Sequence, residues 1–315
     1  MVKANEIPKA IKDPKNAVKV GHSRLDSYMS QLVFKNSAGF ANNLHGKRSR
    51  AKIKKIQKQF KISPKNIPAV EEFRKNGHAL LGIIHDKQLI DEVSSKFKKV
   101  IDDEDLSFVR SQHDGQVFSR QIRLVHKNIP EVKKLITAQV IEFFEQYYKT
   151  PFKIVDIFAW RNIHVPPEIA NKHEMFSSYW HCDGRDTTWT KLFVYLDDVT
   201  SKDGPFHVQT SDRTKEIFEL GFVDRKKPNI PKELLENPKY ITTYTGVKGT
   251  TLVGNLELTL HKAGIPELGH TRDLIQFQLA PSDMPLKENW EEDLESVKDY
   301  NDRIIPSDLA KKSIT

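Results

Sequence analysis

The sequence predicts a mainly β fold with flanking helices, a double-stranded β-helix or jelly roll with its helices packed on one side. Two observations predict it. Helix-type apolar spacing dominates the first half of the chain, and short apolar runs bounded by turn residues dominate the second. Helices followed by strands suit a layer of helices laid against an antiparallel sheet system. At 315 residues the chain is long enough for one large domain with additions.

Residues 1–65 read as a basic, partly flexible extension, and residues 66–315 as the folded domain with a C-terminal helix. Through Lys61 the chain holds 15 Lys and Arg against 3 Asp and Glu, more than the whole chain's net +8, so the remainder is acidic. The excess concentrates between Lys47 and Lys55. Such a patch attracts nucleic acid or another polyanion through counterion release and long-range attraction. A solvated extension without a dedicated partner is the competing reading. Arg24, Tyr28, Phe34 and Phe40 add enough apolar content for part of it to dock on the body.

Pro64 to Pro68 reads as a linker. The spacing then predicts helices over Ala69–Lys75 and Asp86–Ile101, and a longer one over Ile129–Tyr148. There Val132, Leu135, Ile136, Val140, Phe143 and Phe144 recur at helical intervals and Pro130 suits a first turn. The acidic run Asp102–Asp105 reads as a solvated helix end. Strands are expected over Ile154–His164, Thr190–Val199, Leu252–Val253, Leu256–Leu260 and Leu274–Leu279. Thr190–Val199 is mostly apolar, as for a strand covered on both faces. Asp203-Gly204-Pro205 is a turn signal. Asp212–Tyr240, rich in Lys and Pro, reads as a mobile lid, and Trp290–Tyr300 as a final helix outside the barrel.

Composition narrows the class. No apolar run approaches a membrane span, and Met1–Ile11 is no secretory signal. A single cysteine excludes an internal disulfide and points to a reducing, cytoplasmic setting.

The chemistry gathers around His181-Cys182-Asp183. On a strand, side chains alternate faces, so His181 and Asp183 point one way and Cys182 the other. One later histidine completes two imidazoles and a carboxylate, the set that holds a non-haem Fe(II) and leaves positions open. His261 is the candidate. His270 lies two residues before Arg272 and would crowd it on one strand face. Arg272 carries a planar fork suited to a carboxylate on a co-substrate.

The surroundings resemble the phytanoyl-CoA dioxygenase family of Fe(II)/2-oxoglutarate oxygenases. Tyr179-Trp180-His181-Cys182-Asp183 is similar to its aromatic-His-x-Asp strand. Lys191 to Thr200 and then Asp203-Gly204-Pro205-Phe206 resemble its apolar strand, DDV and NGP passage, with Asp203 where Asn is commoner. Gly254-Asn255, His261 and Thr271-Arg272 resemble its ending, and Phe73 to Leu81 its opening element. The resemblance spans roughly residues 69 to 281. It implies a cupin-like oxygenase core that uses Fe(II), 2-oxoglutarate and O2, with His181, Asp183 and His261 as metal ligands and Arg272 on the co-substrate. It implies hydroxylation of a small molecule with release of succinate and CO2, since Asp183 keeps the carboxylate that related halogenases lack. Strand Ile154–His164 runs where the family places further co-substrate residues, which makes Arg161 and Asn162 candidates. Trp180, Trp189 and Phe193 are candidates for the substrate pocket. An oxygenase acting on nucleic acid through the basic extension and a non-catalytic jelly-roll binding protein are the alternatives. Against the first, no second arginine follows closely after Arg272. Oligomeric state is not legible.

Overall fold

The computed structural model describes residues 44–295 except 61, 63, 184–185, 223–224 and 226–229. Residues 1–43, among them Arg24, Tyr28, Phe34 and Phe40, and the last part of the helix expected over Trp290–Tyr300 lie outside the described residues. A helix over Leu44–Gln59 carries the basic run. It is docked on the body: Ile56 is buried, Gln57 Nε2 donates to the Tyr148 carbonyl at 2.7 Å, and Arg50 Nη1 to Thr187 Oγ1 at 2.9 Å.

The helix over Pro68–Asn76 begins on proline, whose fixed φ suits a first turn, and stops at Gly77. Gly77 takes φ +78 and donates its N–H to the Phe73 carbonyl, a left-handed cap that a β-carbon would strain. Strand β1 (His78–Ile83) follows. The next helix, Lys87–Ile101, is capped by Asp86, which accepts from the N–H groups of Gln88 and Leu89. It buries Ile90, Val93, Phe97, Val100 and Ile101 on one face. The helix expected over Ile129–Tyr148 is two pieces, a 3-10 turn over Pro130–Leu135 and an α-helix over Ala138–Tyr148. Thr137 caps the second piece through the Val140 N–H. Apolar spacing survives the break, so Val132, Leu135, Val140, Phe143 and Phe144 are all buried.

The remaining strands are β2 (Ser107–His113), β3 (Gln116–Ile122), β4 (Phe152–Ile163), β5 (Thr190–Tyr195), β6 (Phe206–Gln209), β7 (Ile241–Tyr244), β8 (Thr250–Gly254), β9 (His261–Ala263) and β10 (Thr271–Pro281). Seven form an antiparallel sheet in the order β1-β8-β5-β10-β4-β3-β2, and three a small sheet in the order β7-β6-β9. The result is a mixed α/β core of two sheets. Leu256–Leu260, expected as a strand, is instead a turn closed by the Leu258 N–H on the Asn255 carbonyl.

Period-two alternation sorts the large sheet's faces. Leu192, Val194, Val253, Ile275, Phe277 and Leu279 pack into one cluster with the helices. Trp290 joins this cluster, edge-on to Phe277 at 6.4 Å, just before the short helix Glu291–Glu295. The other face contributes Trp160, Phe193, Tyr195, Leu252 and Leu274 to a cluster shared with Phe206, Val208 and Tyr244 of the small sheet. The described part of Asp212–Tyr240 is no open lid. It begins as a helix over Ser211–Glu219, and Ile217, Phe222, Ile230 and Leu235 pack with Trp180 and Leu260.

Candidate metal centre and anion pocket

Between the two sheets the chain brings together His181, Asp183 and His261. The strand expected for Tyr179–Asp183 is reduced to one antiparallel bridge, in which the backbones of His181 and His261 exchange both N–H bonds at 3.0 Å. The Asp183 N–H is held by the Leu256 carbonyl at 3.0 Å. His261 opens β9, opposite Val208 of β6, so its backbone is anchored on both sides.

The imidazole tautomers follow from their neighbours. His181 Nδ1 lies 2.7 Å from the Tyr179 carbonyl and His261 Nδ1 3.0 Å from that of Thr259. A carbonyl can only accept, so each Nδ1 donates and each Nε2 of the neutral ring keeps its lone pair. Those two Nε2 atoms face the same carboxylate oxygen, Asp183 Oδ1, at 3.6 and 3.7 Å. The three ligand atoms all lie within 4.8 Å of one another. The spacings from Oδ1 are within the span of two metal–ligand bonds of ~2 Å each, so the donor set fits a divalent metal.

Charge agrees with that fit. Burial lowers the His261 pKa to about 3, helped by His181, so the ring is neutral and available. Burial pushes the Asp183 carboxyl up, but Lys191 and the two imidazoles outweigh it and hold it well below the usual carboxylate range. Lys191 Nζ sits 2.5 Å from Asp183 Oδ2. The lysine therefore occupies one carboxylate oxygen while the other faces both imidazoles.

Arg272 lies in the same pocket, 2% exposed. Its Nη1 donates to the Gly204 carbonyl, while its buried Nε has no partner. Gly204 is required there: at φ +65, a β-carbon would stand 2.6 Å from the Gly264 oxygen and the Pro266 nitrogen. The loop is fixed by Asp203, which accepts from Thr200 N–H and bonds His270 Nδ1 at 2.8 Å. His270 is thus a loop residue. Asn162 pairs with Arg272 across β4 and β10, is fully buried, and accepts from Ser119 Oγ at 2.8 Å. Its Nδ2 donors are unpartnered. Two neighbouring buried groups with unmet donors are what a carboxylate would satisfy.

Arg161 is not brought to the pocket. It is one residue from Asn162 and so on the other sheet face, where it pairs with Asp273 at 2.7 Å, reaches Asp102, and lies over the Phe97 ring. Phe193 lines the pocket, whereas Trp180 packs behind it and bonds Glu236 through Nε1 at 2.9 Å. Trp189 does not line the pocket. Cys182 packs against the cluster that contains Trp180 and is not one of the three converging residues.

Two charged pocket residues escape sequence reading, Lys191 and Arg110. A lysine alternating with Phe193 and Tyr195 in an apolar strand was a usable signal. Arg110, on β2, gave none. Its guanidinium lies 4.6 Å from the centre of the Trp160 ring, and burial, with Arg272 nearby, lowers its pKa to about 10.

No family model matches the chain, and no curated protein matches it. Among solved structures, the chain is similar to the non-haem α-ketoglutarate-dependent epimerase SnoN from nogalamycin biosynthesis. Identity is 13%, with 74% of this chain and 84% of that chain covered and a TM-score of 0.51. It is also similar to EctD from S. alaskensis, solved with 2-oxoglutarate and 5-hydroxyectoine. There identity is 14%, coverage 70% of this chain and 78% of that one, and the TM-score again 0.51. The likeness is one of fold: a mixed α/β core of the kind these 2-oxoglutarate proteins share. No helix among the described residues is long and apolar enough to cross a membrane.

Proposed function

We propose that the chain is an Fe(II)- and 2-oxoglutarate-dependent oxygenase that hydroxylates a small molecule with release of succinate and CO2. The two facing sheets are then read as a double-stranded β-helix, residues 66–315 as the catalytic unit and residues 1–65 as its extension. One observation carries the reading: two imidazoles locked by backbone carbonyls aim their free Nε2 atoms at one oxygen of one carboxylate.

On this reading His181, Asp183 and His261 would hold the metal by three positions and leave the others open. The bound iron, with 2-oxoglutarate and O2, supplies the oxidising chemistry. The chain's residues orient and shield. Tyr179 and Thr259 carbonyls fix the ring tautomers, an outer contact of the kind that tunes metal affinity. Lys191 holds Asp183 ionised and directs its other oxygen inward. Arg272 and Asn162 supply unmet donors for the distal carboxylate of 2-oxoglutarate. Phe193, Phe206, Leu252 and Leu274 give the pocket an apolar wall that excludes water.

The test is succinate formation by the iron-loaded chain with 2-oxoglutarate and O2. Slow substrate-free turnover is expected in the wild type and none in Asp183→Ala or His261→Ala. Equal turnover in Asp183→Ala, or none in a wild type shown to hold iron, would overturn the reading.

Contact of the N-terminal region with a polyanion is a second proposal, favoured by the docked helix, whose Lys52, Lys54, Lys55 and Lys58 are exposed. Binding to a DNA or RNA oligomer should fall steeply with salt and vanish when residues 1–61 are removed. Salt-independent or undiminished binding would refute it.

A further inference from the structure

The pocket holds more positive charge than the proposed co-substrate can use. Its charged lining residues are Arg110, Asp183, Lys191 and Arg272. Lys191 and Asp183 neutralise each other as an ion pair. A ferrous dication and the 2-oxoglutarate dianion would also cancel. A net charge of +2 is left over, and with Arg272 assigned to the co-substrate carboxylate, Arg110 is the guanidinium without an assigned anion in a site walled by Phe193, Phe206 and Leu274, where uncompensated charge is costly.

Arg110 and Arg272 stand at separate stations. Trp160, on which Arg110 stacks, pairs with Leu274, while Asn162 pairs with Arg272. The Trp160 ring under Arg110 and the backbone of Arg272 thus belong to strand positions two residues apart, roughly 7 Å. No carboxylate among the described residues forms an ion pair with Arg110. Arg110 lies over the indole at 4.6 Å, and its planar fork suits a bidentate acceptor.

We propose, resting on the oxygenase reading, that the substrate is an organic anion whose carboxylate or phosphate head is bound by Arg110, distinct from the co-substrate carboxylate at Arg272. Arg110 lines the same pocket as His181, Asp183 and His261, so a head group bound there lies in the cavity that those three residues face.

The experiment uses the full chain, loaded anaerobically with Fe(II) and 2-oxoglutarate. Hexanoate, hexyl phosphate and hexanamide are titrated by calorimetry, and 2-oxoglutarate affinity is read separately from the chelate's visible absorption. The wild type should bind at least one of the two anions at least tenfold more tightly than the amide, and which anion wins identifies the head group. Arg110→Gln should abolish that preference while 2-oxoglutarate affinity changes less than threefold; Arg110→Lys should restore part of it. Equal binding of anions and amide by wild type would overturn the proposal. So would an Arg110→Gln effect on 2-oxoglutarate as large as that of Arg272→Gln. If no chelate forms, the oxygenase reading fails by itself. The anion preference is then read on the metal-free chain, where its loss in Arg110→Gln supports the site and its persistence refutes it. A melting curve for each variant separates misfolding from loss of binding.

Discussion

The two faces of β10 obey different rules, although the same eleven residues make both. On the helix side Ile275, Phe277 and Leu279 are completely buried among aliphatic and aromatic neighbours. The one charge there, Asp273, is matched by Arg161 at 2.7 Å. On the pocket side Arg272 is buried with its Nε unpartnered, beside the unmet amide donors of Asn162. One face is arranged to be satisfied by the chain itself, and the other is left incomplete. On the proposed function stability lives on the first face and binding on the second, so a substitution one residue along the strand should change the readout.

The largest effect is expected from Phe277→Ala, which should cost about 3–5 kcal/mol of folding stability by removing a fully buried ring. Urea unfolding checks it, and the folded fraction should retain wild-type affinity for 2-oxoglutarate. Next is Arg161→Gln, which strands Asp273, a carboxyl already pushed up by burial. Breaking a buried pair costs about 3 kcal/mol, so the melting temperature should fall while 2-oxoglutarate binding stays put. A loss of co-substrate affinity in Arg161→Gln would break the comparison between faces.

Arg272→Gln should behave oppositely. Losing a charge-assisted hydrogen bond of about 1.5–3 kcal/mol corresponds to roughly 10- to 150-fold weaker 2-oxoglutarate binding. Thermal stability should hold or rise, since an incompletely paired buried cation is removed.

A further effect concerns pH. Burial lowers His78 and His85 from 6.5 to about 4. Between those values the unfolded chain binds protons that the folded chain refuses, so stability is full above pH 6.5 and declines as the pH falls towards 4. Urea midpoints across that window should drop, and His85→Leu should flatten the slope. An unchanged slope would mean that His85 does not titrate with unfolding.

What was legible in the sequence follows the same division. The grouping of His181, Asp183 and His261 in one pocket with Arg272 follows the expectation drawn from the His-x-Asp triplet and the family resemblance, although the expected strand is only a bridge. Arg161 and Asn162 show the limit: both lie on β4, but choosing the inward one needs the register, and a shift of one residue reverses the answer. Arg110 reaches the pocket from β2, at the far edge of the large sheet, a placement no local pattern encodes. The apolar spacing over Ile129–Tyr148 fitted a continuous helix and a capped break equally well, so only the Thr137 cap decides it.

The most direct measurement is anaerobic titration of the full chain with Fe(II) and 2-oxoglutarate, following the visible charge-transfer absorption of the chelate. A saturable band is expected in the wild type, lost in Asp183→Ala, weakened in Arg272→Gln and unchanged in Arg161→Gln. A folded wild type that develops no band, or an Asp183→Ala chain that develops the same one, would contradict the oxygenase reading.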